Sequence, residues 1–128
     1  MGANWIKISV VYLVMGILFG LFMHYTIQLQ WGATHGHINV VGWLSTGLIG
    51  VIYAVYPKVG NSRLGVIHFW LQNISLPFLL VGMMLIHTDF PRWMMEFCVS
   101  SGGIGFALAI LIFLVNIFQN VEPTHNMK

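Results

Sequence analysis

Residues 5–27 read WIKISVVYLVMGILFGLFMHYTI, with Lys7 the one formally charged side chain in the run. A helix crossing the hydrocarbon of a bilayer takes about 20 mostly apolar residues, so this stretch is long enough by itself. A secretory leader has a shorter apolar core followed by a small-residue cleavage site. Neither feature is evident here, and the run is read as a retained membrane helix. Three further runs of the same character follow at 37–56, 66–86 and 95–118. Short polar breaks separate them. Gln28, Gln30, Gly32 and Thr34 lie in the first, Lys58, Asn61 and Arg63 in the second, and Asp89, Pro91 and Arg92 in the third.

Composition points the same way. The chain is 58% hydrophobic and 6% charged, against about a quarter charged in a soluble domain. In water so small a chain would expose apolar surface on every side, so lipid is its solvent. The expected fold is all-α, a four-transmembrane-helix bundle forming a single domain over residues 1–128. The net charge of +2 is too small to argue for a nucleic-acid partner. Cys98 is the only cysteine, which excludes an internal disulfide and any Cys-pair metal site. Asp89, Glu96 and Glu122 are the only acids, all near helix ends. No paired carboxylates, activated nucleophile or phosphate loop is present.

Orientation follows from the distribution of cations. Lys7, Lys58, Arg63 and Lys128 fall on one side of the four runs, and Arg92 falls on the other. The positive-inside rule then makes both termini cytoplasmic, in a multi-pass protein of a bacterial-type inner membrane. That topology puts His24, His35, His37 and His87 at the outer side, His68 near the inner side and His125 in the tail. Strongly polar or ionisable side chains inside membrane helices are more often functional than decorative, and four histidines at one depth exceed what hydropathy requires.

Gly16 and Gly20 form a small-xxx-small pair of the kind that lets membrane helices approach closely. His24 continues that stripe and is expected to face a neighbouring helix. Gly102, Gly103 and Gly105 make a similar packing face on the fourth run. His68, Gln72 and Ser75 share a face of the third run, read as interhelical hydrogen bonding in preference to a polar inlet for protons. Pro77 is expected to kink that helix. Trp31 and Trp93 suit an interfacial aromatic belt.

The sharpest local pattern is Thr34-His35-Gly36-His37-Ile38-Asn39. Residues two apart on an α-helix point about 200° from each other, so His35 and His37 address different crevices. That geometry suits two large cofactors, or one shared between subunits. It does not suit a compact zinc site, whose three or four ligands converge on one point. Imidazole suits iron, and a histidine is the usual heme ligand.

Beyond Thr34 an ordered series of motifs accumulates: His35-Gly36-His37, then Tyr56-Pro57-Lys58, Leu64-Gly65 and His68-Phe69-Trp70-Leu71. Val99-Ser100-Ser101 with Gly103 and a closing Phe113-Leu114-Val115-Asn116-Ile117-Phe118 complete it. In order and spacing this resembles the last helices of the catalytic subunit of the heme–copper oxidases, and with the preceding helix it covers most of the chain. The resemblance implies that His35 and His37 are heme axial ligands, the first to a high-spin and the second to a low-spin heme, near the outer face. The family subunit has about twelve helices, arranged as three four-helix arcs around a pseudo-threefold axis. One arc is present here. The helix bearing the family's copper ligands has no counterpart, and neither has the helix supplying the second low-spin ligand, so the oxygen-reducing site does not carry over.

Three copies of such an arc would rebuild the threefold arrangement. The expected assembly is therefore a homotrimer, with heme b between His35 of one copy and His37 of the next. His24 and His87 are extra candidates, as ligands of a second metal or as partners of heme propionates. The expected function is a membrane heme protein that transfers electrons or binds a small gas such as O2 or NO. The alternatives are a non-heme structural or assembly subunit of a respiratory complex, and an oligomeric oxidase or nitric oxide reductase-like enzyme.

Overall fold

The computed structural model describes residues 1–122; His125 and Lys128 lie outside them. Four helices are long and apolar enough to cross a bilayer: α1 (Gly2–Thr26), α2 (Leu29–Val55), α3 (Arg63–Leu85) and α4 (Arg92–Asn120). No strand occurs among the described residues. Large apolar side chains cover the outside, with Leu18, Leu44, Ile74 and Ile104 each more than half exposed. That is the inverse of a water-soluble surface and is the pattern that a lipid solvent permits.

Each helix end has a local cause. Helix α1 stops at Ile27, whose φ of 54° places a β-branched residue in the left-handed region. The Ile27 and Gln28 amides donate back to the carbonyls of His24 and Met23, the paired return bonds of a Schellman cap. Ser62 caps α3 by accepting the Gly65 amide at 3.0 Å, satisfying one of the donors that a helix start leaves free. Pro57 opens the helical turn Pro57–Gly60 between α2 and α3, a position where its missing amide costs nothing.

The second helix differs from the expected span. It begins at Leu29, not at 37, with a 3-10 turn over Leu29–Trp31 and an α segment over Gly32–His37. The Gln, Gly and Thr of residues 28–34 lower hydropathy without breaking the helix, because none is proline and the backbone bonds continue. His35 and His37 therefore sit inside the helix rather than at its first residues. From Ile38 to Ser45 the helix is wound as a π-helix, and it returns to α over Thr46–Val55.

The helices associate as two antiparallel pairs, α1 with α2 and α3 with α4, the latter the more extensive. In α4, a β-carbon added at Gly102 would overlap the backbone of Leu79 in α3. Glycine there lets the two helices touch backbone to backbone, the contact that stabilises membrane helix pairs where lipid removes the hydrophobic drive. The pairs join through two apolar clusters. Trp5, Ile49, Tyr53 and Val59 form one, at the end of the bundle where α1 begins and α2 and α4 finish. Tyr12, Ile38, Leu76 and Leu80 form the other, nearer the middle.

Candidate functional site

The histidine end comes first. His24 closes α1, His35 and His37 lie in the first turns of α2, and His87 follows α3, so the topology brings all four to one end of the bundle. They share a level without converging: among the described residues no group of three or more His, Cys, Asp or Glu side chains is arranged to hold a metal ion.

His37 is exposed on the outside of the bundle. Its Nδ1 lies 2.9 Å from the carbonyl of Ala33. A carbonyl only accepts, so Nδ1 carries the proton and Nε2 is left with a free lone pair. Fixing one ring nitrogen on a carbonyl is how proteins orient a ligating imidazole. The surface around the ring is small and open: Ala33 is exposed, and a β-carbon added at Gly36 would meet nothing within 4 Å. A flat macrocycle against His37 would meet no bulky neighbour on that side.

His35 leaves the same helix inward and is half-buried. Its Nε2 lies 3.1 Å from the Gly16 carbonyl in α1 and 3.1 Å from Asn39 Nδ2. Asn39 also donates to the His35 carbonyl at 2.9 Å. The consistent assignment has Nε2–H donating to Gly16 and the Asn39 amide donating to the backbone. Gly20 makes this seat, since a β-carbon there would come within 2.8 Å of His35 Nε2. Phe19 stands beside the ring and Trp31 beside Phe19, and Trp31 Nε1 donates to the Met84 carbonyl at 3.1 Å, tying α2 to the end of α3.

The expectation that His24 faces a neighbouring helix is overturned: it is exposed, beside Tyr25. The buried line on α1 runs Gly2, Trp5, Ser9, Tyr12, Gly16, Met23, in steps of three and four residues and a last step of seven. Stepping by four twice from Gly16 drifts about 80° off that line, and so Met23 rather than His24 meets the neighbour. His87 is likewise exposed.

No protein-family model, curated protein or solved structure matches this chain.

The other half of the bundle holds the most strongly constrained polar group in the molecule. His68, Gln72, Thr46 and Asn116 are all fully buried, and Tyr53 nearly so. His68 Nε2 lies 2.8 Å from Gln72 Oε1, and His68 Nδ1 lies 2.8 Å from the Tyr53 hydroxyl. Gln72 Nε2 donates to Thr46 Oγ1 at 3.3 Å, and Asn116 Nδ2 donates to the Tyr53 oxygen at 3.1 Å and to the Val59 carbonyl at 3.1 Å. Since Gln72 Oε1 can only accept, His68 carries a hydrogen on Nε2, and in the neutral ring Tyr53 donates to Nδ1. The imidazole is sandwiched between Trp5, with ring centroids 4.8 Å apart, and Phe113, at 5.0 Å. Rings from all four helices thus meet at His68, with hydrogen bonds reaching it from α2 and α3.

The sequence places His68 and Gln72 on one face, and in the structure they do bond across helices. Ser75 is not part of the network; it packs against Gly105. Tyr53 and Thr46 carry no local signal in the sequence, and Asn116 enters only as part of the closing motif Phe113–Phe118. The legible signal was Asn116, a polar amide set within the apolar run Phe113–Phe118, since buried amides in membrane helices seek partners. Asn116 leads on to Asn120, which lines a cavity of about 410 Å³ shared with Lys58, Gln119 and Glu122.

Proposed function

We propose that this chain is a membrane heme-binding subunit, with His37 as an axial ligand of a heme b held between copies of the chain. The observation that carries the reading is His37 itself, an imidazole exposed on the outside of the bundle with Nδ1 held by the Ala33 carbonyl and Nε2 free. An unpartnered imidazole in that setting is costly unless something ligates it. The resemblance to one arc of the heme–copper oxidase subunit supports iron as that partner. The second axial ligand comes from another copy. In a threefold assembly it is His35, whose ring must first release the Gly16 carbonyl. His24 and His87, exposed at the same end, are assigned to propionate contacts or a second metal.

Bound heme would supply a one-electron couple, and would take O2 or NO only on release of one of its two imidazoles. The chain's own contribution is to fix the His37 tautomer through Ala33, to keep bulky side chains away from that ring, and to hold α2 close to α1 where Asn39 packs on Gly16. The test is an oxidised and reduced visible spectrum of the purified protein, with native mass spectrometry. A Soret band in an oligomer, lost in His37→Ala and altered in coordination state in His35→Ala, is the expected result. Colourless protein from heme-replete cells would overturn it.

The seating of His35 on Gly16 favours a second reading, a non-heme structural subunit of a respiratory complex. The same spectrum separates the two readings.

A further inference from the structure

We propose that His68 is a proton-binding site whose occupancy is relayed through the Tyr53 hydroxyl to the side-chain amide of Asn116, giving two hydrogen-bonded states of one buried network. The inference concerns the half of the bundle remote from His37 and does not depend on heme.

In the neutral state the bonds run in one direction. Tyr53 donates to His68 Nδ1, Asn116 Nδ2 donates to the Tyr53 oxygen and to the Val59 carbonyl, and the Ser62 hydroxyl donates to Asn116 Oδ1, 2.8 Å away. Addition of a proton at Nδ1 turns that nitrogen into a donor. The Tyr53 oxygen then receives the new N–H, and its own hydrogen loses its acceptor. The Asn116 amide still points an N–H at the same oxygen, so the phenol hydrogen has nowhere to go. An unsatisfied donor in a fully buried site costs about 1–3 kcal/mol. Turning the Asn116 amide by half a rotation removes the conflict, because Oδ1 then faces Tyr53 and accepts its hydrogen.

That rotation removes three other bonds, from Asn116 Nδ2 to the Val59 carbonyl and from Ser62 and Asn120 to Asn116 Oδ1. Ser62 Oγ lies 2.7 Å from the Val59 carbonyl as well as 2.8 Å from Asn116 Oδ1. It has one hydrogen and two acceptors in reach, so it can take over Val59 when Asn116 Nδ2 leaves. Asn120 Nδ2 lies 2.8 Å from Asn116 Oδ1 and 3.2 Å from the Asn116 backbone carbonyl, and can rely on the second alone. No covalent bond changes and one proton is gained at His68 Nδ1; the turned amide sets Nδ2 against the Asn120 amide, which is exposed and must swing aside, and Oδ1 against the Val59 carbonyl, so that the Val59–Ser62 turn must ease away. A bistable element of this sort is what a protonation switch requires.

The neighbours of the imidazole are Trp5 from α1, Tyr53 from α2, Gln72 on its own helix and Phe113 from α4. Of these Tyr53 alone is titratable. Charged groups lie at the far end of the network: Lys58 and Glu122 line the cavity beside Asn120, and Arg63 follows Ser62 in the chain. The switch therefore reads the proton at the end of the bundle that holds this cavity, and it writes the result into the Val59–Ser62 turn at the cavity's edge.

The test is nitrogen-15 NMR of the full-length chain in lipid bilayers, with histidine and asparagine labelled, over a pH titration. At neutral pH His68 should be the Nε2–H tautomer. On acidification the His68 ring and the Asn116 side-chain amide should move with one shared midpoint, and the Asn116 amide protons should lose their proximity to the Tyr53 ring. In Tyr53→Phe the His68 ring should titrate alone. The opposite tautomer, an Asn116 amide that stays put while His68 protonates, or a His68 that stays neutral until the protein unfolds would each overturn the proposal. So would an Asn116 amide that still follows His68 in Tyr53→Phe.

Discussion

His37 and His68 are the same side chain in the same kind of helix, and the bundle treats them oppositely. His68 has both ring nitrogens bonded, is stacked between two aromatic rings and is fully buried. His37 has one nitrogen bonded to its own helix and the other free on the surface. A polar ring inside a membrane protein is tolerated when its partners are built in or brought by something else. The comparison separates a histidine that the fold has already satisfied from one that it leaves with a free ring nitrogen. His35 falls between them, half-buried and seated on a backbone carbonyl of α1.

The largest effect that would sharpen this contrast is on stability. His68→Ala leaves the Tyr53 hydroxyl and the Gln72 carbonyl without their partner and opens a void between Trp5 and Phe113. A loss of about 3–5 kcal/mol is expected, read as a lowered midpoint in denaturant-driven unfolding from detergent. His37→Ala, at an exposed site, should abolish bound pigment, and compared in heme-free protein it should change the unfolding free energy by no more than about 0.5 kcal/mol. Equal losses from the two variants would break the comparison. Gly102→Ala pushes a methyl group into the Leu79 backbone and should cost about 1–3 kcal/mol, because backbone cannot step aside as a side chain can. Asn116→Leu removes the donor to Tyr53 and Val59 and should cost about 1–2 kcal/mol. The smallest change runs the other way. Ile27→Gly relieves a left-handed β-branched residue and should raise the unfolding free energy by about 1 kcal/mol, with no effect on pigment.

Much of the architecture was legible beforehand, and particular residues show where legibility stopped. The four spans follow from apolar length, and their number and order agree with the structure. The start of α2 does not, because polar residues at 28–34 lower hydropathy without breaking backbone bonds. His24 was placed on a packing face by counting in fours from Gly16 and Gly20. The helix repeat is 3.6, and over two turns the difference decides which side a residue faces. The network around His68 was half-visible: His68 and Gln72 sit one turn apart, whereas Thr46, Tyr53 and Asn116 come from other helices, and no local pattern joins them.

Helix α2 shows the division most clearly. Its buried residues include Thr34, Ile38, Gly42 and Thr46, a spacing of four that would drift about 40° per step in a regular α-helix. The π winding over Ile38–Ser45 has a wider turn and offsets that drift, keeping one line of the helix against its neighbours.

The sequence alone determined that this chain crosses a membrane, how many times, and which side chains are polar within it, because the cost of exposing polar atoms to hydrocarbon depends on composition and length alone. Which polar groups meet, and which histidine is satisfied while another stays free, was decided only by tertiary structure. Those outcomes depend on the relative rotation and approach of helices distant in sequence, and a single π segment or glycine contact is enough to change them.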